Sequence, residues 1–114
     1  MKVPNRASAI VDERKLRDYL LSRTHPVGRS KARFLAGLGY HLDDSDRLGA
    51  DLRAVLSNDV LETIETQYGR KYVVPGGLAA PDGSIKSVVT VWIVLSGTDV
   101  PRFITEYPGG DDED

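Results

Sequence analysis

Residues 84 to 95 read SIKSVVTVWIVL, and residues 88 to 95 within this stretch form the longest nearly apolar run of the chain. Successive side chains of a strand point to opposite faces of its sheet. Both alternating sets are mainly apolar: Val89, Val91, Ile93 and Leu95 on one face, and Val88, Thr90, Trp92 and Val94 on the other. The stretch therefore predicts a long central strand that is mostly buried on both faces.

Shorter strand patterns flank this central strand. One covers Arg70 to Val74 before a predicted turn at Pro75-Gly76-Gly77, and residues 81 to 84, Pro-Asp-Gly-Ser, predict a hairpin turn. The last strand pattern covers Pro101 to Tyr107. Alternation predicts two sides for that strand: Phe103 and Tyr107, with Thr105, on one, and Arg102, Ile104 and Glu106 on the other. Its edge would be available to a partner strand.

Three helical patterns precede the strands. The first begins after Asp12, a predicted N-cap, and runs to about Ser22. The second begins at Arg29 or Ser30 and ends at a glycine signal, Gly39. The third begins after residues 43 to 45 and keeps helical spacing as far as residue 64, with a break signal at residues 58 and 59. The sequence thus predicts an α+β fold, with about three N-terminal helices packed on a C-terminal antiparallel sheet of three to four strands.

The length of 114 residues and the composition predict one domain, residues 1–108, followed by a disordered acidic tail, residues 109–114. The chain has no cysteine, which excludes disulfides, thiolate catalysis and cysteine-ligated metals. No apolar run is long enough to cross a bilayer. We therefore expect a soluble, cytoplasmic protein with no membrane partner.

The formal net charge of -2 sums blocks of opposite sign. Residues 1 to 40 carry nine lysines and arginines against three acids, which gives this third of the chain a net charge of +6. The tail at residues 111 to 114 is entirely acidic. A field of one sign can attract a polyanion. The alternative interpretation is that the helices have ordinary solvated faces.

Residues 25 to 34, HPVGRSKARF, place an imidazole on a constrained loop just before a helix rich in cations. Cleavage of RNA without a metal needs a proton acceptor, a proton donor and cations near the phosphate. His25, Lys31 and Arg33 have suitable chemistry, and the backbone and side chains of residues 28 to 31 could together hold an anion at the helix start. Lys31 and Arg33 diverge by about 200° on a helix, whereas Arg29 and Arg33 share a face.

Each of these residues also has a structural interpretation. His25 would be a loop residue or a helix-capping contact. Thr105 and Tyr107 would point the same way and position a phosphate near Arg102, or would belong to the core face. His25, His41 and the neighbouring aspartates lack the spacing of a metal site. We expect neither a metal nor another cofactor.

Four segments in this order resemble a small prokaryotic domain family of unknown function: HPVGRSKARFL, YGRKYVV, VTVWIV and PRFITEYP. The likeness covers residues 3 to 108. Its layout is similar to that of the barnase/colicin/RelE-like ribonuclease toxins, and similar domains occur in toxin-antitoxin pairs. The resemblance points to these residues: His25, Gly28, Lys31, Arg33, Tyr68, Gly69, Trp92, Pro101, Arg102, Thr105 and Tyr107.

The leading hypothesis is a toxin-like, metal-independent ribonuclease that acts on RNA. Its predicted catalytic residues are His25, Lys31, Thr105 and Tyr107, and its predicted substrate-binding residues are Gly28, Arg29, Arg33 and Arg102. One alternative is a non-catalytic module that binds a small cognate antitoxin or immunity protein, through the edge at residues 101 to 107 or the acidic tail. Another is a nucleic-acid-binding domain without cleavage.

Overall fold

A computed structural model of the chain describes residues 1 to 109. The predicted α+β order is confirmed, because the helices precede an antiparallel sheet. Helix α1 is an α-helical turn at Glu13–Lys15 that continues as a π-helical turn at Leu16–Leu20. Helix α2 covers Arg29–Ala36, and helix α3 covers Ser45–Ala54. Short 3-10 turns lie at Arg6–Ser8, Leu42–Asp44 and Val55–Ser57. The strands are β1 at Glu62–Glu65, β2 at Gly69–Ala79, β3 at Ile85–Leu95 and β4 at Arg102–Pro108. Most of the predicted acidic tail lies outside the described residues.

The helices are shorter than the sequence predicted. Asp12 is the N-cap of α1, since its side chain accepts the N–H of Arg14 at 2.8 Å. However, α1 ends before Ser22, and the regular part of α2 ends at Ala36, although Gly39 takes the positive φ of 101° expected of the predicted end signal. The third helical pattern ends at the predicted break, where Asn58 adopts an extended conformation, and its continuation to residue 64 was wrong. Residue 64 belongs to β1, where it pairs with β2.

The four strands form a meander in the order β1-β2-β3-β4, with every neighbouring pair antiparallel. The helices cover one face, called here the inner face, on which Tyr72, Val74 and Trp92 are buried against helical leucines. Trp92 is fully buried, and its ring meets the Phe103 ring edge-on at 5.3 Å between centroids. This single core holds the helices against the sheet.

The predicted turn at residues 75 to 77 was wrong, because β2 continues through it. Pro75 lies opposite Val89, and Gly76 lies opposite Val88. Strand β1 pairs with β2 only as far as Val73, so beyond that point β2 is an edge strand, which tolerates a proline. Gly76 is required by close packing, since a Cβ there would lie 2.5 Å from the Asn58 side chain.

The predicted sides of β4 were also wrong. Val91 of β3 lies opposite Thr105, but the next residue, Trp92, lies opposite Phe103, so Ile104 is an extra residue in a β-bulge. The bulge reverses the alternation of side chains after it. Phe103 and Glu106 are therefore both buried, while Thr105 follows the outer side of the sheet.

The edge of β4 is partly covered, contrary to the open edge that we expected. Ile10 forms a parallel bridge to Arg102. The Ile10 N–H donates to the Pro101 carbonyl, and the Ile10 carbonyl accepts the Phe103 N–H, each at 2.9 Å. A partner strand would have to displace this segment.

Candidate functional site

His25 lies in the loop between α1 and α2, and its ring accepts two backbone hydrogen bonds. Nδ1 accepts the N–H of Val27 at 3.0 Å and the N–H of Gly28 at 2.9 Å. A helix leaves the N–H groups at its start without partners of its own, and His25 satisfies two of them. The neutral ring must then carry its proton on Nε2. This geometry matches the helix-capping interpretation of His25, whereas its catalytic role stays a prediction.

The same loop is held rigidly from both sides. Ser22 Oγ accepts the N–H of Thr24 at 3.3 Å and that of His25 at 3.2 Å. Gly28 lies directly against α1, where an added Cβ would be 2.1 Å from the Tyr19 carbonyl oxygen. The Gly28 N–H is already used by His25, so the predicted role of Gly28 in holding substrate through its backbone loses that donor.

Tyr19 connects this loop to β4. Its ring meets the His25 ring edge-on, with 5.2 Å between centroids. Its hydroxyl is 3.1 Å from Thr105 Oγ1. Tyr19 thereby links two of the predicted catalytic residues, and no sequence motif signalled that contact.

Lys31 reaches from α2 to the edge of β4. Its Nζ donates to the backbone carbonyl of Glu106 at 2.6 Å and lies 6.0 Å from the centre of the Tyr107 ring. The latter distance is within the range of a cation–π contact. Lys31, Thr105 and Tyr107 are therefore brought to one end of β4, as the leading hypothesis requires.

Glu106 is a buried carboxyl group next to this contact. Its side chain is 0% exposed, and neither oxygen has a hydrogen-bond partner among residues 1 to 109. Burial raises the pKa of Glu106 to about 7, and the nearby charge of Lys31 opposes that rise. The Glu106 carboxyl therefore points into the core and not toward the outer side of β4.

We call the group Tyr19, His25, Lys31, Thr105 and Tyr107 the β4 cluster. It gathers the four predicted catalytic side chains through Tyr19 and β4. Arg102 lies further along β4, where it pairs with Ile93 and with Ile10, and none of the side-chain contacts that join the cluster reaches it. The chemistry open to the cluster is limited. In the capping tautomer, Nε2 of His25 can donate a hydrogen bond but cannot accept a proton. Lys31 already donates a hydrogen bond to a carbonyl.

Arg23, Arg29 and Arg33 form a second group, which we call the arginine cluster. The three side chains together line one depression of about 230 Å³, and no other residue of the described chain lines it. Arg29 and Arg33 share a face of α2 as predicted, whereas Arg23 comes from the rigid loop. The sequence did not indicate Arg23, because its approach depends on the path of that loop.

The face of the sheet opposite the helices, the outer face, has an apolar centre flanked by Glu62, Lys71, Arg102 and Thr105. The centre carries Val73, which is buried, and Pro75, Val89, Val91 and Ile93, and none of these belongs to the core cluster under the helices. The last three are only partly buried. Three more apolar side chains of this face are well exposed: Ile64 at 39%, Tyr107 at 42% and Ile85 at 77%. Within the described chain, no helix covers this face.

Two further findings concern residues 1 to 109. No helix in that range combines the length and the apolar character needed to cross a bilayer. The same range contains no cluster of three or more side chains suited to holding a metal ion.

These features define a small two-layer α+β domain with an uncovered apolar sheet face. Its fold is shared with a solved chain from a contact-dependent growth inhibition toxin–immunity protein complex of Klebsiella pneumoniae 342. The TM-score is 0.68 at 20% sequence identity, over 89% of this chain and 100% of that chain.

The chain belongs to the family described as a domain of unknown function, DUF6883, whose model matches residues 2–110. The resemblance to a domain family of unknown function is thereby confirmed. No curated protein matches the chain.

Proposed function

We propose that this protein is an interaction module that binds a cognate partner protein, as the members of a toxin–immunity pair do. The observation that carries the proposal is the uncovered apolar outer face. A soluble monomer rarely exposes a large contiguous apolar patch, and such patches mark protein-binding sites. A sheet with one open face normally alternates apolar and polar residues, whereas here both sides of β3 are apolar.

The fold comparison supports the same proposal. The matching chain comes from a complex of two proteins, a toxin and an immunity protein. Each member of such a complex binds the other. The comparison therefore suggests partner binding whether the matching chain is the toxin or the immunity protein. Cleavage of RNA would be expected of a toxin alone.

The outer face suits a partner better than the edge of β4 does. Ile10 and Lys31 already occupy backbone groups of that edge. On the outer face, Val89, Val91 and Ile93 lie side by side with Tyr107 at the rim. Aromatic and aliphatic side chains of this kind form the buried centre of protein interfaces. The partner would therefore present an apolar surface of its own.

The test is capture of the partner from extracts of the source organism, followed by binding measurements with the purified partner. Val89→Asp and Val91→Asp each place a charge at the centre of the outer face. Ala50→Asp places the same charge on an exposed position of α3 and is the matched control. We expect the first two variants to weaken binding by at least about 100-fold, because burying an unpaired charge is costly, while Ala50→Asp leaves binding unchanged.

Equal affinity in all three variants would show that the outer face does not bind the partner. Circular dichroism spectra and thermal melts of each variant separate loss of binding from loss of folding. A captured protein that binds the Val91→Asp variant as tightly as the unaltered chain would not be the partner proposed.

A ribonuclease is the second candidate, favoured by the β4 cluster. Lys31, Thr105 and Tyr107 meet at one end of β4, and Tyr19 connects His25 to them. In this candidate, the 2′-oxygen of the RNA attacks phosphorus and gives its proton to water, the leaving 5′-oxygen takes a proton from Tyr107, and Lys31 and the Nε2–H of His25 stabilise the charge of the phosphate. The proposal requires His25 to act through Nε2, because Nδ1 is occupied.

The purified protein is incubated with total RNA, without added metal, and the products are separated on a gel. Tyr107→Phe should slow cleavage by about 100-fold or more, as expected for loss of a proton donor. Tyr68→Phe, at another exposed tyrosine, is its control. His25→Asn keeps an oxygen that can accept the loop N–H groups, so it should fold normally yet lose cleavage. RNA that stays intact with the unaltered protein would overturn this candidate.

A further inference from the structure

We infer that the arginine cluster is a binding site for a phosphate group. This inference needs neither proposed function to hold. Arg29 and Arg33 are also predicted substrate-binding residues of the ribonuclease candidate, but phosphate binding requires neither a partner protein nor cleavage. Arg23, Arg29 and Arg33 line the same depression of about 230 Å³. All three side chains are exposed, so an incoming anion could reach them.

The three arginines have no partner of their own in the described chain. Other arginines of the protein do form ion pairs: Arg17 with Glu13, Arg47 with Asp51 and Arg70 with Glu65. No acidic side chain of residues 1 to 109 pairs with the arginine cluster. Like charges that converge without a counter-charge repel one another. A bound anion would remove that repulsion.

The loop fixes where the three charges meet. Arg29 and Arg33 are one helical turn apart on α2. Arg23 is delivered by the loop, whose shape depends on the caps at Ser22 and His25 and on the contact of Gly28 with α1. A site on a rigid loop and a helix loses less conformational freedom on binding than one on flexible side chains alone.

The helix start itself contributes little. The N–H groups of Val27 and Gly28 donate to His25 Nδ1, and the N–H of Arg29 donates to the His25 carbonyl at 3.0 Å. These three N–H groups are therefore not free to bind an anion in the depression, which the guanidinium groups would hold. The predicted anion site at residues 28 to 31 would accordingly lack the N–H groups of Gly28 and Arg29 as donors.

A phosphate fits this arrangement better than a carboxylate. Each guanidinium is a planar fork that pairs with two oxygens. A carboxylate has two oxygens and one charge, enough for one fork. A phosphate monoester offers three terminal oxygens and up to two charges, and a nucleic-acid backbone offers a series of phosphodiesters, each with two terminal oxygens and one charge. Three converging arginines are therefore matched to phosphate. Its source is either a free phosphate compound or the backbone of a nucleic acid.

Titration calorimetry with inorganic phosphate and fluorescence anisotropy with a labelled oligouridylate distinguish these sources. The double variant Arg29→Gln, Arg33→Gln removes two members of the cluster. The control, Arg6→Gln with Arg14→Gln, removes the same charge from exposed positions elsewhere in the basic third of the chain. We expect the first pair to weaken binding by about tenfold or more and the control to change it less than twofold.

Binding of inorganic phosphate that is lost only in the first pair would support a site for a free phosphate compound. Binding of the oligonucleotide alone, with the same dependence on the cluster, would assign the site to a nucleic-acid backbone. Three results would overturn the inference: no binding of either probe at 50 mM salt, equal loss in both double variants, or equal affinity for polyglutamate. Thermal melts of both double variants confirm that each is folded.

Discussion

The two faces of β3 differ in burial although both are mainly apolar. The inner residues are fully buried and the outer residues are partly exposed: Val88, Thr90 and Trp92 on the inner side, and Val89, Val91 and Ile93 on the outer side. The helical layer lies over the first set, and no helix of residues 1 to 109 lies over the second. Burial is thus decided by the layer above a strand and not by the strand itself.

The comparison also separates two uses of apolar residues. On the inner face they hold the fold together, because each packs against several neighbours and excludes water. On the outer face they contribute less to folding, since part of their surface remains in contact with solvent. A partner that covers the outer face would explain why valine and isoleucine occur there.

The comparison predicts that the largest loss of stability follows from removing the Trp92 side chain. The ring is fully buried, contacts Phe103 and donates from Nε1 to Thr90 Oγ1 at 2.8 Å. We expect Trp92→Ala to lower the free energy of unfolding by about 3–5 kcal/mol. Urea denaturation followed by circular dichroism measures it. A loss below about 1 kcal/mol would mean that the inner face is not the core.

The pH dependence of the free energy of unfolding tests whether Glu106 is buried on the inner face. The pKa of this buried carboxyl is raised from 4.5 to about 7, so the folded protein keeps a proton that the unfolded chain releases. Stability from this group is fully present below pH 4.5 and is lost as the pH rises through 7. The integrated loss is about 3 kcal/mol. The effect has the opposite sign from that of an ion-paired carboxylate.

The measurement compares Glu106→Gln with the unaltered protein between pH 4.5 and 8. The variant cannot ionise, so its stability relative to the unaltered protein should rise by about 3 kcal/mol over that interval. Glu62→Gln, at an exposed position of β1, should leave the pH dependence unchanged. Parallel curves for Glu106→Gln and the unaltered protein would show that Glu106 is ionised in the fold.

The position of Glu106 shows where sequence reasoning reached its limit. Alternation correctly gave the two sets of side chains on β3, since that strand is regular throughout. It failed on β4 because one bulge at Ile104 reverses the faces after it, and no local residue signals the bulge. The fold class was predictable because helices and strands are separated along the chain. The continuation of β2 through Pro75 was not, because it depends on where β1 stops.

The candidate sites show the same division. Residues close in sequence were placed correctly relative to one another, as with Arg29 and Arg33 on one face of α2. Contacts between distant segments were not foreseeable, such as those of Tyr19 with Thr105 and of Lys31 with the Glu106 carbonyl. They depend on how the helices lie across β4. No spacing in the sequence encodes that arrangement.

A smaller effect is expected from Thr90→Val on the inner face. Thr90 Oγ1 donates to the Val74 carbonyl at 2.8 Å and accepts from Trp92 Nε1. Valine keeps the shape but leaves the Trp92 Nε1–H buried without its acceptor and removes one of the hydrogen bonds of the Val74 carbonyl. We expect a loss of about 2 kcal/mol, within the range for unsatisfied buried groups. Stability unchanged by Thr90→Val would indicate that water reaches this part of the inner face.

The smallest effect is expected one residue further along, where Val91→Thr makes the reverse exchange on the outer face. The new hydroxyl can reach solvent, and threonine is as suited to a strand as valine. We expect a change in the free energy of unfolding of under about 1 kcal/mol. Urea denaturation of Thr90→Val and Val91→Thr side by side compares the two faces with the same pair of residue types. A larger loss from Val91→Thr than from Thr90→Val would mean that the outer face is sealed in the free protein, and would remove the open surface on which partner binding is proposed.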